Sequence, residues 1–187
     1  MATARKVAVV VGSLRKESFS LKVAKAVIGL APPTLAMELI DISELPLFNQ
    51  DWESAYPPPA AAFKQRIAEA EAVLFVTPEY NRSVPGVLKN AIDVASRPYG
   101  QSAWSGKPGA VISVSPGAIG GFGANQHLRQ SMVFLDVPML QQPEAYIGSA
   151  HKLFDAQGQL ASDDTRQFLQ KFVQAYAEWV ERHLKQR

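Results

Sequence analysis

Short apolar runs alternate with longer segments of helical periodicity along this chain, and few folds accommodate that alternation. Five runs are predicted to be strands: Val7–Val11, Met37–Ile42, Val73–Val76, Ala110–Val114 and a less apolar one at Val137–Leu140. Strands without alternating polar residues, joined by helices, are typical of a parallel sheet that is covered by helices on both faces. The pattern therefore predicts a doubly wound α/β fold with right-handed crossover connections.

Five segments between and after the strands have apolar residues at the three- and four-residue spacing of an amphipathic helix. In the last segment, Ser162 is placed to cap the helix ahead of Asp163 and Asp164, whose charges suit the positive end of the helix dipole. Proline-rich Tyr56–Ala61 and polar Phe154–Gln159 are predicted to be loops. Five strands and five helices within 187 residues predict a single flavodoxin-like domain over residues 1–187, with strand order 2-1-3-4-5.

The composition excludes several kinds of chemistry. The chain has no cysteine, which excludes disulfides, thiolate nucleophiles and iron–sulfur clusters, and His127, His151 and His183 lack the spacing of a zinc motif. We therefore expect no metal site, and any redox reaction requires a bound organic cofactor. The net charge of +2 gives no electrostatic footprint for a nucleic acid.

Hydropathy predicts a cytoplasmic protein without a membrane partner. No apolar run approaches the ~18 residues of a membrane span. The basic start of the chain is followed by an apolar run that is shorter than the roughly 7–15 residues of a signal-peptide core.

The predicted topology also indicates where a ligand binds. In an open parallel sheet the ligand lies beyond the carboxyl ends of the strands, where the strand order reverses. For order 2-1-3-4-5 the relevant loops follow strands one, three and four, at residues 12–20, 77–86 and 115–125. These loops have the most unusual compositions in the chain, so topology and loop chemistry agree.

The first loop, GSLRKESFS, has the composition of a phosphate site. Gly12 permits a sharp turn after the strand, and Arg15 adds a planar cation ahead of a helix N-terminus. Hydroxyl donors come from Ser13, Ser18 and Ser20. The loop matches neither the dinucleotide fingerprint nor the Walker A motif. An exposed, serine-capped helix start with solvated charges explains the same residues, and this loop alone leaves both interpretations open.

The second loop, TPEYNRSVPG, holds a short non-helical segment between Pro78 and Pro85. Its backbone N–H and C=O groups are predicted to remain free at the tip of the strand, and such a rigid edge suits a flat heterocycle such as the isoalloxazine of a flavin. Tyr80 packs against that ring in one interpretation and covers the edge of the core in the other. On the next helix, Lys89 and Asp93 are predicted to form a solvated i,i+4 ion pair.

The third loop, SPGAIGGFGAN, contains four glycines after Ser115, at positions 117, 120, 121 and 123. Glycine lets the backbone approach a planar ligand closely, here a flavin or a nicotinamide that lies over it. A flexible connection into the helix near Asn125 accounts for the same composition, and the loop alone does not separate the two interpretations.

In order and with suitable spacing, GSLRKESFS, TPEYNRSVPGVLKNAID and SPGAIGG resemble the NAD(P)H-dependent FMN reductase family, in its quinone and chromate reductase branch. The resemblance extends from about Val7 to Glu144. It implies a flavodoxin-like enzyme with one FMN per chain that oxidises NADH or NADPH and reduces quinones, with chromate, other metal oxyanions or azo compounds as side acceptors. It also implies a homo-oligomer, either a dimer or a tetramer.

The same resemblance implies which residues hold the ligands. The phosphate is expected to be held by Ser13, Arg15, Ser18, Phe19 and Ser20, and the isoalloxazine to be bordered by Pro78, Glu79, Tyr80 and Asn81, with Ser115 on its far side. Arg82 and Gly117 are expected to contact substrates at the rim. No side chain is expected to be indispensable to hydride transfer, because the cofactor carries that chemistry.

Two positions depart from the family pattern, and one loop carries a further expectation. Many relatives have Asn in place of Ser20, which shortens a phosphate donor here, and many have an aromatic residue in place of Arg82, which makes this rim more basic.

In Ser96–Trp104, the side chains of Tyr99 and Trp104 are expected to be exposed beside the cleft, at a subunit interface or at the pocket rim.

Three other classes share parts of this pattern. A flavodoxin-type electron carrier has the same fold and cofactor, but it docks partners through a strongly acidic surface, and this chain is mildly basic. A response-regulator receiver requires acidic residues where Gly12-Ser13 and Thr77-Pro78 stand, and SVSPG does not complete the nucleophile motif of a serine hydrolase. The electron carrier is the alternative that remains.

Overall fold

The computed structural model describes residues 3–185, which form one parallel sheet of five strands in order 2-1-3-4-5 with helices on both faces. This flavodoxin-like arrangement confirms the predicted fold class and strand order. The strands are β1 (Arg5–Val11), β2 (Leu35–Ile40), β3 (Ala72–Thr77), β4 (Gly109–Val114) and β5 (Ala145–Ile147). The helices are α1 (Phe19–Leu30), α2 (Pro58–Glu69), α3 (Gly86–Ser96), α4 (Phe122–Phe134) and α5 (Asp163–Leu184).

Different helices bury the two faces of the sheet, because successive residues of a strand point to opposite sides. In β1, Val7, Val9 and Val11 belong to an apolar cluster with residues of α1 and α5. Ala8 and Val10 belong to a second cluster with residues of α2, α3 and α4. Both β3 and β4 are buried along their whole length, which explains why their sequences are mostly apolar, with only Thr77 and Ser113 polar and no alternation.

The predicted fifth strand at Val137–Leu140 is wrong. Within that segment Met139 forms a single bridge to Gly109, and the strand that pairs with β4 is Ala145–Ile147. Pro138 has no N–H to donate to a ladder, which limits pairing in the segment. A strand of three residues is too short to stand out in the sequence as an apolar run, so the pattern selected its longer neighbour.

The predicted loop at Tyr56–Ala61 contains the first turn of a helix. Pro57 is the N-cap of α2, and the helix begins at Pro58. Proline is compatible with a first turn because the first N–H groups of a helix have no partner within it, and its fixed φ suits helical geometry. The prolines therefore begin the helix instead of preventing it.

The last helix begins and packs as its pattern predicts. Ser162 is its N-cap, and the Ser162 Oγ accepts a hydrogen bond from the backbone N–H of Thr165 at 3.3 Å. Further along, the buried Tyr176 hydroxyl donates to the backbone carbonyl of Val73 in the central strand β3, at 2.8 Å. Burial raises the pKa of Tyr176 well above its ordinary value.

The expected position of Trp104 is wrong. A helix that follows a parallel strand runs back across the sheet, so the loop between α3 and β4 lies at the amino edge, away from the carboxyl ends of the strands. Tyr99 is exposed there, but Trp104 is fully buried and packs against Phe63 and Phe75. Its indole Nε1 donates to the backbone carbonyl of Ile92 at 2.9 Å, which satisfies the polar end of the ring inside the core.

Candidate functional site

A cleft of about 260 Å³ opens at the carboxyl edge of the sheet, between the loops that follow β1, β3 and β4. All three loops contribute predicted site residues to it. The lining residues are Ser13, Arg15, Ser18, Phe19, Ser20, Pro78, Glu79, Tyr80, Val114, Ser115 and Pro116. The predicted residues Asn81, Arg82 and Gly117 do not line this cleft.

Two larger cavities, of about 340 Å³ each, lie away from these loops. One lies between β1, β2 and α2, where Arg66 pairs with Glu38 at 2.6 Å, and the other lies between α1 and residues 157–166. Neither is at the point where the strand order reverses, which is where ligands bind in folds of this kind. Position and chemistry therefore identify the smaller cleft as the functional site.

The loop after β1 begins at Gly12, which is closely packed. A Cβ at this position would lie 3.0 Å from both the Leu88 Cδ2 and the Thr77 Oγ1. The backbone N–H of Gly12 still pairs with the carbonyl of Val76 at 2.9 Å, so the turn begins directly at the end of the sheet ladder. The next residues are thereby directed over the carboxyl edge.

Hydroxyl groups and a helix N-terminus meet at one end of the cleft. The buried Ser18 caps α1, and its Oγ accepts a hydrogen bond from the backbone N–H of Leu21 at 3.1 Å. The predicted serine cap is therefore present, although Ser18 is buried and not exposed, and the Ser18 hydroxyl keeps its proton for a ligand. Ser20 is also buried against the cleft, and α1 has no acidic residue in its first turn. The positive end of this helix dipole is not neutralised locally.

The loop after β3 is a tight two-residue turn. Tyr80 and Ser83 exchange backbone hydrogen bonds at 3.1 and 3.0 Å, and Asn81 and Arg82 between them have φ values of 50° and 63°. The prediction of free backbone groups is wrong for Tyr80, whose N–H and C=O groups are paired within the loop. The turn directs the Arg82 side chain outward, where it is 76% exposed.

Glu79 joins the second loop to the third, a role that the sequence does not reveal. Its side chain is 12% exposed, and its Oε2 accepts a hydrogen bond from the backbone N–H of Ala124 at 3.0 Å. Gly121, the N-cap of α4, has no side chain to cap that helix. The Glu79 carboxylate therefore takes the place of a capping side chain. The sequence signal for such a role is a helix whose N-cap is glycine instead of Ser, Thr, Asp or Asn, because that helix needs a capping group from elsewhere.

The glycine loop after β4 is held firmly against the segment that follows β5. The backbone N–H groups of Ser149 and Ala150 donate to the carbonyls of Gly117 and Ser115, at 3.2 and 3.1 Å. At Gly120, where φ is 66°, a Cβ would lie 2.6 Å from the carbonyl carbon of Tyr146. The glycines thus permit close packing between two loops, and the interpretation of this segment as a flexible connection is wrong.

One histidine lies nearer to the site than its sequence position suggests. His127 on α4 is hydrogen-bonded through Nδ1 to the Ser83 Oγ at 2.9 Å, although the two residues are distant in sequence. It supports the outer side of the second loop and does not line the cleft. On α3, Lys89 and Asp93 form the predicted ion pair, at 2.8 Å.

Two kinds of feature are absent from residues 3–185. This part of the chain contains no group of three or more His, Cys, Asp or Glu side chains that is arranged to hold a metal ion. Nor does any helix within it combine the length and the apolar character that a membrane crossing needs.

The geometry suits a ligand with a phosphate at one end and a flat group at the other. Serine hydroxyls, Arg15 and the N-terminus of α1 meet at the β1 end of the cleft, and these are donors that bind phosphate. Phe19, Pro78 and Tyr80 add apolar surface toward the other two loops. No acidic side chain except Glu79 lines the cleft, and Glu79 is already bound to the end of α4.

Sequence comparisons extend over most of the chain. Residues 5–152 match the family model described as NADPH-dependent FMN reductase. A quinone reductase from Pseudomonas putida is 65% identical over 175 residues, which are 93% of this chain and 94% of that protein. A 2-hydroxy-1,4-benzoquinone reductase from a Burkholderia species is 54% identical over 177 residues, which are 95% of this chain and 97% of that protein.

A solved structure has the same arrangement at high similarity. It is FerB, a flavoenzyme NAD(P)H:(acceptor) oxidoreductase from Paracoccus denitrificans, with a TM-score of 0.90 and 45% sequence identity. The superposed region covers 96% of this chain and 99% of that one. Because the family model matches well over half of the residues and close relatives align along nearly their whole length, this chain belongs to the NADPH-dependent FMN reductase family.

Proposed function

We propose that this chain binds FMN in the cleft and uses it to oxidise NADH or NADPH and to reduce quinones. The observation that carries the proposal is the cleft itself, where hydroxyls, a cation and an unneutralised helix N-terminus meet at one end and apolar rings line the other. Family membership and the names of the quinone-reducing relatives support the same function.

Each end of FMN has suitable residues in this cleft. Under the proposal, Ser13, Arg15, Ser18, Phe19 and Ser20 hold the phosphate. The isoalloxazine lies between the second and third loops, bordered by Pro78, Glu79, Tyr80 and Ser115. Asn81, the fourth residue that the resemblance places at this border in the second loop, does not line the cleft, and we assign it to the turn that presents Tyr80. Arg82 and Gly117 are assigned to the outer rim, where substrates enter.

The protein contributes binding and orientation to the reaction. FMN, when bound, supplies hydride acceptance and two-electron transfer to a quinone. The side chains and backbone of the cleft hold the cofactor, and the fixed glycine loop limits the space above it. No histidine lines the cleft, so no side chain there is assigned as a general acid or base. We therefore propose that no single side chain is indispensable to hydride transfer.

Several properties of the proposed enzyme stay predictions from the sequence. They are a dimer or tetramer as the assembled state, a cytoplasmic location, and the reduction of chromate, other metal oxyanions or azo compounds alongside quinones. The alternative function is a flavodoxin-type electron carrier, which would bind FMN in the same cleft without oxidising NADH or NADPH itself.

A visible absorption spectrum of the purified protein, loaded with FMN and desalted, tests the proposal. We expect retained flavin bands that bleach when NADH or NADPH is added without oxygen and return when a benzoquinone is added. Bands that persist after both nucleotides would favour the electron carrier. Loss of all flavin on desalting would overturn the assignment of the cleft.

A further inference from the structure

A further cavity, distinct from the cleft and from the two larger cavities described above, lies against the loop after β1, on the side facing β2. It has a volume of about 290 Å³ and opens between the carboxyl ends of β1 and β2. Ser13 and Arg15 line both this cavity and the cleft, so the two spaces are separated by a single loop. We refer to the second space as the β2 cavity.

The walls of the β2 cavity are apolar. Val11, Leu21 and Leu39 come from β1, α1 and β2, and Leu14 at the tip of the loop is 51% exposed beside them. Because Leu14 adjoins these buried apolar walls, the combined surface offers a flat apolar group a place to pack. The volume is near the lower end of the roughly 300–1,000 Å³ of small-molecule sites, which suits one half of a dinucleotide.

Asp41 provides the polar chemistry of the β2 cavity and is the one acidic side chain that lines it. Its Oδ1 accepts a hydrogen bond from the backbone N–H of Ser43 and its Oδ2 accepts one from the Ser43 Oγ, both at 2.9 Å. These bonds hold the pKa of Asp41 below its usual value, so the group is ionised at neutral pH. The backbone N–H of Ile42 adds to the same effect. A carboxylate has about four acceptor positions, so acceptor capacity remains for a ligand.

We infer that the β2 cavity binds the adenosine end of the nicotinamide dinucleotide, with Leu14 against the adenine and Asp41 accepting hydrogen bonds from the two ribose hydroxyls. The inference rests on the proposed function, in that a dinucleotide is the electron donor. Arg15 lines both spaces, so the inference places the pyrophosphate near this cation, on the other side of the loop from the FMN phosphate.

The inference also assigns a specificity role to Asp41. In domains that carry the dinucleotide fingerprint, which this chain lacks, an acidic side chain beyond the phosphate loop accepts the ribose 2′-hydroxyl, and Asp41 offers the same chemistry here. The same charge repels a 2′-phosphate, which is the group that distinguishes NADPH from NADH. Asp41 therefore shifts the preference of this chain toward NADH, relative to a variant without the charge.

ADP-ribose tests the cavity without any hydride transfer. We expect it to bind the FMN-loaded protein saturably in calorimetry, with amide shifts in NMR spectra at residues 13–15 and 41–43. Asp41→Asn should weaken this binding about tenfold, as the loss of a hydrogen bond to a charged group does, and should strengthen the binding of 2′-phospho-ADP-ribose. Glu44→Gln removes the same charge from the same loop outside the cavity, and both affinities should stay within about twofold.

The outcomes separate this inference from the proposed function. No binding of ADP-ribose, binding that is indifferent to Asp41, or shifts confined to another surface would each overturn the adenosine site. If NADH and NADPH leave the bound flavin oxidised while ADP-ribose binds in an Asp41-dependent way, the site stands and the proposed reaction fails.

Discussion

Arg15 is the residue on which the phosphate assignment depends most. It is exposed, and among residues 3–185 its guanidinium forms no hydrogen bond or salt bridge, while its backbone N–H donates to the Ser13 Oγ at 3.4 Å. The neighbouring carboxylate of Glu17 pairs with Lys22 at 2.9 Å. The cation is therefore available at the same end of the cleft as the N-terminus of α1.

Arg15→Ala should weaken FMN binding by about 1.5–3 kcal/mol, the usual contribution of a hydrogen bond to a charged group. That corresponds to roughly a 10- to 150-fold higher dissociation constant. Titration of the apoprotein with FMN, followed by flavin fluorescence, measures the change. Lys16→Ala is the matched control, because Lys16 is an exposed cation next in sequence that does not line the cleft. Equal affinities for the wild type and Arg15→Ala would place the phosphate elsewhere.

At the scale of secondary-structure elements, the loops of the site stabilise one another. The second loop caps α4 through Glu79, the third loop is hydrogen-bonded to the segment after β5, and His127 supports the second loop from outside. A change in one loop should therefore alter the stability of a neighbouring element. Substitutions at Glu79 and Gly120 test this expectation, because each of these residues contacts a segment that is distant in sequence.

Glu79→Ala should lower the free energy of unfolding by about 0.5–2 kcal/mol, the usual cost of removing a helix N-cap. Glu79→Gln should lower it less, because an amide oxygen can still accept the hydrogen bond from Ala124. Chemical denaturation of the flavin-free proteins measures both values without any contribution from cofactor binding. The capping role would be excluded if both variants had the same free energy of unfolding as the wild type.

Gly120→Ala should destabilise the protein by about 1–3 kcal/mol, because its Cβ would meet the backbone of Tyr146 and its φ of 66° is unfavourable for a side chain. Gly29→Ala is the control, since nothing lies within 4 Å of a Cβ at that helical position. There we expect a gain of about 0.5–1 kcal/mol from helix propensity. Thermal or chemical unfolding compares the two, and a neutral Gly120→Ala would contradict the tight packing of this loop.

At the scale of the whole molecule, α5 closes one face of the sheet, and Tyr176 fastens it to the central strand. The hydroxyl is buried and donates to the Val73 carbonyl. A raised pKa in the folded state means that the folded chain keeps this proton to a higher pH than the unfolded chain does. The neutral hydroxyl therefore contributes its full stability at pH values below the pKa of Tyr176 in the unfolded chain. That contribution is lost as the pH rises from there toward the higher pKa of the folded chain.

The free energy of unfolding should fall as the pH rises above about 10, by up to about 1.4 kcal/mol per pH unit from this single group. Tyr176→Phe should make that dependence shallower. The same substitution should cost about 1 kcal/mol at neutral pH, because the Val73 carbonyl loses its hydrogen bond. Denaturant titrations at a series of pH values give both quantities, and an unchanged alkaline slope would refute the assignment to Tyr176.

The alternation of strands and helices, and the edge of the sheet at which the cleft lies, follow from local patterns in the chain. A strand buried on both faces is mostly apolar, as Val73–Val76 is throughout and Ala110–Val114 is apart from the buried Ser113. Parallel connections bring the loops after such strands to one edge. The caps at Ser18 and Ser162 are likewise readable, because each involves a residue three positions away. Apolar runs and caps depend on neighbours in sequence, so they are legible without a structure.

Tertiary structure alone settles the contacts between distant segments. Glu79 is hydrogen-bonded to a residue of α4 that lies 45 positions further along the chain. Trp104 is buried among residues of α2, α3 and β3. The strand β5 pairs through three residues, while a longer apolar run beside it does not form a strand. Nothing near these residues in sequence encodes such choices. They are fixed by which donors, cavities and strand edges remain unsatisfied once the sheet has formed, and that is a property of the assembled molecule.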